Sequence, residues 1–165
     1  MTSSLGSYDL RLRDVEVDDL PIFFEHQRDP DANHMAAFTS KDPTNRDAFL
    51  AHWARIIGDE TILIQTILCN EQVAGHILSY PSEDVGKSEV SYWLDQAYWG
   101  RGIATEALSA FLSRLKARPV YARVAADNAA SLRVLEKGGF VRIGTNRDFA
   151  NARGQEIEEV LLKLH

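Results

Sequence analysis

Residues 91–107 decide the fold of this chain and read Ser-Tyr-Trp-Leu-Asp-Gln-Ala-Tyr-Trp-Gly-Arg-Gly-Ile-Ala-Thr-Glu-Ala. The opening residues favour a strand, Gly100-x-Gly102 favours a tight turn, and apolar residues then recur at helical spacing from Ile103 to Leu115. Glycine lacks a Cβ, so this backbone can turn sharply and bring its N–H groups close to a ligand. Together with the positive end of the helix dipole, those groups predict an anion site for a phosphate-bearing ligand.

Other interpretations of the glycine turn are weaker. An ordinary strand-to-helix connection is the simplest alternative. A P-loop is excluded because the sequence has no Gly-x-x-x-x-Gly-Lys-Ser/Thr. A dinucleotide fingerprint would use Asp127 for the ribose, but Thr105 stands where its third glycine or alanine belongs. The turn also follows three strands that have no helix between them.

Two motifs, in order, resemble the signatures of the GNAT superfamily of N-acetyltransferases. Residues 99–107 resemble the loop that holds the acyl-CoA pyrophosphate. Residues 127–140, Asp-Asn-Ala-Ala-Ser-Leu-Arg-Val-Leu-Glu-Lys-Gly-Gly-Phe, resemble the Asn-x-x-Ser helix that ends in Glu-Lys-x-Gly-Phe. The resemblance covers residues 60–164 well and the amino-terminal third more loosely. Its nearest branch is similar to the ribosomal-protein N-terminal (alanine/serine) acetyltransferases.

This resemblance implies a mixed α/β GNAT acyl-CoA N-acyltransferase fold. Its parts are an antiparallel meander with splayed central strands, flanking helices and a carboxy-terminal hairpin. It also implies acetyl transfer from acetyl-CoA to a primary amine by direct attack in a ternary complex. The acceptor stays open between a protein or peptide N-terminus and a small amine such as an amino acid, polyamine or aminoglycoside. A non-catalytic acyl-CoA-binding sensor is the alternative from another functional class, and acyl groups other than acetyl stay open.

Amide formation from a thioester needs a neutral amine, a polarised carbonyl and protonation of the departing thiolate. Glu89, on the strand that leads into the glycine turn, is the candidate base. The alternative for Glu89 is a solvated carboxylate on a sheet face. The resemblance implies that backbone N–H groups near Trp93, Leu94 and Asp95 polarise the carbonyl.

Asn128 and Ser131 are the other candidate catalytic residues. The resemblance implies that they approach the pantetheine arm and that Ser131 stabilises or protonates the thiolate. Many relatives use a tyrosine there, and none occurs between Asn128 and Phe140. Simple helix capping is the alternative role of this pair.

The cofactor contacts are expected mainly from the backbone of the glycine turn, with arginine side chains as additions. Lys137 is a further candidate for a phosphate contact. The predicted binding residues are Trp93, Leu94, Gly100, Arg101, Gly102, Ile103, Ala104, Asn128 and Arg133.

Composition narrows the class of protein. The chain has 165 residues, of which 45% are apolar, and this predicts a single domain over residues 1–165 with a mobile polar tail at 1–7. Residues 1–60 carry twelve acidic and six basic side chains and so the whole net charge of −6, which argues against direct nucleic-acid binding. We expect no membrane segment, because the longest apolar stretch, residues 62–69, is broken by Gln65 and Thr66 and is too short to span a bilayer. We expect no metal, because the five histidines show no paired ligand spacing and there is one cysteine. The single cysteine also agrees with a cytoplasmic location. A homodimer is a further expectation from the family.

The sequence also gives expectations for residues 31–40 and for residues 140–164. Residues 31–40 show no periodicity and are expected to form a loop, either along a substrate cleft or as a plain surface connection. Residues 140–145 and 156–164 read as a closing hairpin around a polar loop at 146–155.

Overall fold

A computed structural model describes residues 8–82 and 87–165. The expected tail at 1–7 and residues 83–86 of the turn-rich loop before β4 lie outside the described residues. The strands are β1 Leu10–Asp14, β2 Leu63–Cys69, β3 Gln72–Pro81, β4 Ser88–Leu94, β5 Val120–Ala125, β6 Val141–Ala150 and β7 Gln155–Leu164. The helices are α1 Leu20–Arg28, α2 Pro30–Ala36, α3 Arg46–Ile57, α4 Ile103–Arg114 and α5 Ala129–Lys137.

The strands form one sheet in the order β1-β2-β3-β4-β5-β7-β6. Every neighbouring pair is antiparallel except β4 and β5, which run parallel. These two strands pair only at Ser88 with Val120 and at Glu89 with Tyr121, and beyond those residues they separate. We call this opening the fork. The predicted meander, splayed central strands, flanking helices and terminal hairpin are confirmed.

The core lies on both faces of the sheet, because successive residues of a strand point to opposite faces. On β3, Ile77 belongs to the apolar cluster that includes Phe111 of α4. Its neighbour His76 contacts Phe23 of α1 and Trp53 of α3, with ring centroids 4.9 and 4.8 Å away. Helices therefore cover both sides of the sheet, and α4 and α5 border the fork.

A buried carboxylate joins the amino-terminal elements to the sheet. Asp19 is 3% exposed and accepts hydrogen bonds from Arg13 at 2.7 Å, from the hydroxyl of Thr66 at 2.7 Å and from the backbone N–H of Glu16 at 2.9 Å. Burial alone would raise the pKa of Asp19, but the donors outweigh it and the pKa is lowered. This network fixes the entry to α1 against β1 and β2.

The structure corrects two sequence predictions. The expected loop at 31–40 is wrong for its first part, which forms the helix α2. Asp29 caps this helix by accepting from the N–H of Asp31, and Pro30 takes the first helical position. A cap and a proline determine a seven-residue helix that is too short to show a clear apolar period.

The expected polar loop at 146–155 is also wrong for most of its length. β6 continues to Ala150 and pairs with β7 as far as Ala150 with Gln155. Residues 141–149 are exposed because β6 is the edge strand, so polar side chains there stay in solvent while the backbone pairs. Polarity alone therefore gave a false signal of a loop.

Among residues 8–82 and 87–165, no helix has the length and apolar character needed to span a membrane.

Candidate active site

A cleft of about 810 Å³ opens where β4 and β5 separate. It is bordered by α2, β4, the glycine turn, the start of α4, β5, α5 and the β6–β7 hairpin. Predicted binding residues that line it are Trp93, Leu94, Gly100, Gly102, Ile103, Ala104, Asn128 and Arg133, joined by Ser131 and Lys137. Three described candidates, Glu89, Asp95 and Arg101, do not line it. Glu89 is buried, Arg101 is exposed, and the N–H of Asp95 is bonded to Ala74, so the expectation for Asp95 is wrong.

The glycine turn has the geometry of an anion site. Gly100 and Gly102 have φ of 72° and 78°, in the left-handed region that glycine tolerates best. Gly102 caps α4 without a side chain, and its carbonyl accepts the N–H of Glu106 at 3.1 Å. The N–H groups of the first helical turn, from Ile103 on, therefore have no intrahelical acceptor. With the helix dipole behind them, they can bind a pyrophosphate.

The end of β4 presents backbone groups to the cleft. The N–H of Asp95 bonds to the carbonyl of Ala74 on β3, and successive strand residues direct their N–H groups to opposite edges. The backbone N–H and carbonyl of Leu94 therefore point to the edge next to β5, beyond the last residues that pair the two strands. The carbonyl of Leu94 accepts the indole N–H of Trp99 at 2.8 Å, which holds this strand end in place. The N–H of Leu94 is thus available to polarise a thioester carbonyl.

At the start of α5 the Asn-x-x-Ser motif does more than cap the helix. The side chain of Asn128 accepts from the N–H of Ser131 at 3.2 Å and donates to the carbonyl of Met35 at 3.3 Å. The hydroxyl of Ser131 is left for a different partner, the hydroxyl of Tyr92, 3.1 Å away. Burial raises the pKa of Tyr92. Sequence reasoning missed Tyr92 because its spacing on β4 matches that of the core residues Val90 and Leu94.

Glu89 lies at the fork and is 6% exposed, so the alternative of a solvated carboxylate is wrong. Its Oε1 accepts from Nε of Arg123 at 3.1 Å and from the hydroxyl of Tyr80 at 3.4 Å. Its Oε2 is 3.5 Å from Nη2 of Arg123. Burial and the nearby Glu89 raise the pKa of Tyr80 to about 12. Both carboxylate oxygens are thus engaged by protein donors.

A second acidic group adjoins this ion pair. Glu159 of β7 is 2% exposed and lines the cleft, and its Oε1 lies 3.7 Å from Nη1 of Arg123. Asn146 of β6 donates to it at 3.1 Å. Asp148, also on β6, lines the cleft as well. Sequence reasoning missed both carboxylates. For Glu159 the available signal was a carboxylate directly before the apolar run 160–162 of the closing strand, whereas Asp148 lies in a polar segment and gave none.

A family model described as "Acetyltransferase (GNAT) domain" matches residues 9–141. The chain belongs to the GNAT acetyltransferase family. It is an acetyl-CoA-dependent N-acetyltransferase, and acetyl-CoA is its acyl donor. The predicted family and acyl donor are confirmed.

Similar proteins include an uncharacterized N-acetyltransferase, p20, of Bacillus licheniformis, which is 22% identical over 163 residues that cover 94% of this chain and 92% of that one. A ribosomal-protein-alanine N-acetyltransferase from Brucella melitensis has a TM-score of 0.73 and 22% identity, covering 93% of this chain and 98% of that one. A spermidine N-acetyltransferase from Vibrio cholerae, solved with CoA and spermine, has a TM-score of 0.77 and 18% identity, covering 93% and 95%. The two solved structures share the GNAT fold, and one is named for a ribosomal protein and the other for spermidine as the acceptor.

One side of the cleft of this GNAT acetyltransferase is closed by α2 and the residues after it. Met35, Ala36 and Phe38 line the cleft there. Arg153, in the β6–β7 turn, donates from Nε to the carbonyl of His34 at 2.7 Å. It also forms an ion pair with Asp127 at 2.8 Å, which lowers the pKa of that carboxyl. One arginine therefore ties α2 to the beginning of α5.

Arg133 and Lys137 lie one turn apart on α5 and both line the cleft of the GNAT domain. Their exposed side chains can reach phosphate oxygens from this helix. Within the described ranges, no three His, Cys, Asp or Glu side chains are placed to hold a metal ion.

Proposed function

We propose that this enzyme acetylates the α-amine of a peptide or protein N-terminus. The observation that carries the proposal is the engagement of Glu89 by Arg123 and Tyr80. Because both carboxylate oxygens already accept hydrogen bonds, Glu89 has few free acceptor positions for a proton from a strongly basic amine. An α-amine has a reference pKa of about 7.7–8.0, against about 10.4 for a lysine side chain. A sizeable fraction of an α-amine is already neutral near pH 7.5, so this site suits it better.

Charge at the acceptor end favours a substrate that arrives as an ammonium ion. Glu89 and Glu159 lie on either side of a single guanidinium, that of Arg123, and Asp148 is a further acidic residue of the cleft lining. Glu159 and Asp148 are the acidic side chains that line the cleft, and a carboxylate near the amine attracts it as an ammonium ion. The ammonium is held there until it loses its proton.

The opposite wall is apolar and supports a peptide with a small first side chain. Met35, Ala36 and Phe38 offer contact surface to that side chain and to the first peptide unit.

The reaction then follows from the arrangement of groups. The ammonium gives a proton to water, with Glu89 attracting that proton through the water, and the neutral nitrogen attacks the thioester carbon. The carbonyl oxygen accepts from the N–H of Leu94 as it gains charge. The C–S bond breaks, its electron pair goes to sulfur, and the second proton lost by nitrogen converts the thiolate to the thiol. Ser131 stabilises the sulfur during this step.

The test is a matched panel of amines assayed by thiol release from acetyl-CoA, with mass spectrometry to locate the acetyl group. The panel holds a short peptide that begins with Ala or Ser, and the same peptide with an acetylated N-terminus and one lysine. It also holds spermidine, an aminoglycoside and free amino acids. We expect the free N-terminus to give the highest kcat/KM. Preference for spermidine or an aminoglycoside would overturn the peptide assignment. Acetyl-CoA binding without turnover of any amine would identify a sensor.

Glu159 and Asp148 in the cleft lining also support the second candidate, a small polyamine substrate, because each carboxylate can pair with one ammonium group. The panel separates the two by direct competition between peptide and spermidine. The cytoplasmic location, the single domain over 1–165 and the homodimer stay predictions, and the buried free thiol of Cys69 is compatible with a reducing compartment.

A further inference from the structure

A pair of hydroxyl groups lies where β4 meets the start of α5. The Tyr92 and Ser131 oxygens are 3.1 Å apart although the residues are 39 positions apart in sequence, and both side chains line the cleft. Burial raises the pKa of Tyr92, so the phenol keeps its proton at neutral pH and serves as a hydrogen-bond donor.

The geometry limits where the Ser131 hydrogen can point. Asn128 accepts from the backbone N–H of Ser131 and so fixes the first turn of α5. When Tyr92 donates to the Ser131 oxygen, the hydroxyl hydrogen of Ser131 is turned away from Tyr92 and is free for a group in the cleft. A donor behind a hydroxyl also polarises it and strengthens the bond it gives.

We infer that Tyr92 is a positioning residue that directs the Ser131 hydroxyl toward the departing sulfur of CoA. The inference rests on the proposed role of Ser131 at that sulfur. Neither hydroxyl gives up its proton. As the C–S bond breaks, the electron pair moves to sulfur, Ser131 donates a hydrogen bond to the thiolate, and the proton that completes the thiol comes from the amine nitrogen. Tyr92 and Ser131 are therefore unchanged after each turnover.

The kinetic test compares Tyr92→Phe, Ser131→Ala and the double variant with wild type, using whichever amine the wild-type enzyme acetylates best. Tyr121→Phe is the matched control, since it also removes one phenol hydroxyl from a strand beside the fork and Tyr121 does not line the cleft. We expect kcat to fall about 100-fold in Ser131→Ala and about tenfold in Tyr92→Phe, with the KM for acetyl-CoA changed less than about twofold. The double variant should match Ser131→Ala, because Tyr92 acts through Ser131.

A second measurement needs no acceptor and so separates this inference from the choice of substrate. The pKa of the thiol of bound CoA is read from the ultraviolet absorbance of its thiolate during a pH titration. We expect it to be lowest in wild type and Tyr121→Phe, about one unit higher in Ser131→Ala and intermediate in Tyr92→Phe. The inference is overturned if Tyr92→Phe matches wild type in thiol pKa. It is equally overturned if the kcat of the double variant falls by the product of the two factors by which the single variants reduce kcat.

Discussion

Arg123 donates from Nε to the Oε1 atom of Glu89 across 3.1 Å, and Glu89 is the last residue of β4 that pairs with β5. The same guanidinium lies 3.7 Å from Glu159, so one cation serves two buried carboxylates. This arrangement makes Glu89 part of a network whose charge acts on the acceptor amine, and it explains why Glu89 lies outside the cleft wall.

Replacing Glu89 by Gln should lower kcat/KM about 10- to 100-fold at pH 7, because proton removal through water loses its carboxylate. The loss should shrink above the pKa of the amine, where the substrate is already neutral. Rate measurements from pH 6 to about 9.5 test this dependence. Glu158→Gln, an exposed neighbour on β7, is the control. A loss that is equal at every pH would mean that Glu89 only holds Arg123 in place.

Replacing Gly102 by Ala should raise the Kd for acetyl-CoA at least tenfold. The position has φ of 78°, and a left-handed L-residue costs about 1–2 kcal/mol, so the turn would relax away from the geometry that presents its N–H groups. Isothermal titration calorimetry measures the change.

Gly154→Ala is the matched control for that variant, since Gly154 has φ of 67° and open space around it in the β6–β7 turn. It should lose similar stability and keep the wild-type Kd. Arg101→Ala should change the Kd less than about threefold because the side chain is exposed outside the cleft wall. An equal Kd for both glycine variants would refute the assignment of the turn to the pyrophosphate.

Replacing Arg153 by Met should raise the KM for the acceptor about five- to tenfold, because α2 loses its tie to α5 and the acceptor wall is less well positioned. Binding of acetyl-CoA should stay within about twofold of wild type, since the glycine turn is untouched. Arg147→Met, on the exposed edge strand of the same hairpin, is the control. If the Kd for acetyl-CoA rises as much as the acceptor KM, Arg153 does not act on the acceptor wall alone.

Replacing Asp19 by Asn should lower the free energy of unfolding by about 2–3 kcal/mol at pH 7, because a buried charge-assisted network is broken. Asp18→Asn, exposed and adjacent, should change it by less than about 0.5 kcal/mol. Urea denaturation followed by circular dichroism measures both.

Comparing wild type with Asp19→Asn at different pH values tests the Asp19 network further. The folded-state pKa of Asp19 is lowered, so its stabilisation is fully present above the unfolded value of about 3.9 and is lost as pH falls through the folded value. The stability gap between wild type and Asp19→Asn should therefore be constant near neutrality and narrow in acid below about pH 4. A gap that stays constant down to acid unfolding would contradict the ionised network.

Local signals determined what the sequence could predict on its own. The strand, glycine turn and helix over residues 91–115 depend on neighbouring residues, and the same holds for the Asn128 cap of α5. These motifs were enough for the family, the fold and the acyl donor, which are confirmed. Where the local pattern was weak, as in α2 and the outer half of β6, the prediction was wrong. A short capped helix and an exposed edge strand carry little apolar period.

The tertiary structure alone decided which side chains meet in the cleft. Tyr92 reaches Ser131 across 39 positions, and Arg123 reaches Glu89 across 34, because strand register and the fork bring β4, β5 and α5 together. Periodicity places a residue on a face but does not choose its partner on another element. The glycine turn could thus be read from the sequence, whereas the partners of Glu89 and Ser131 depend on distances that only the packed sheet fixes.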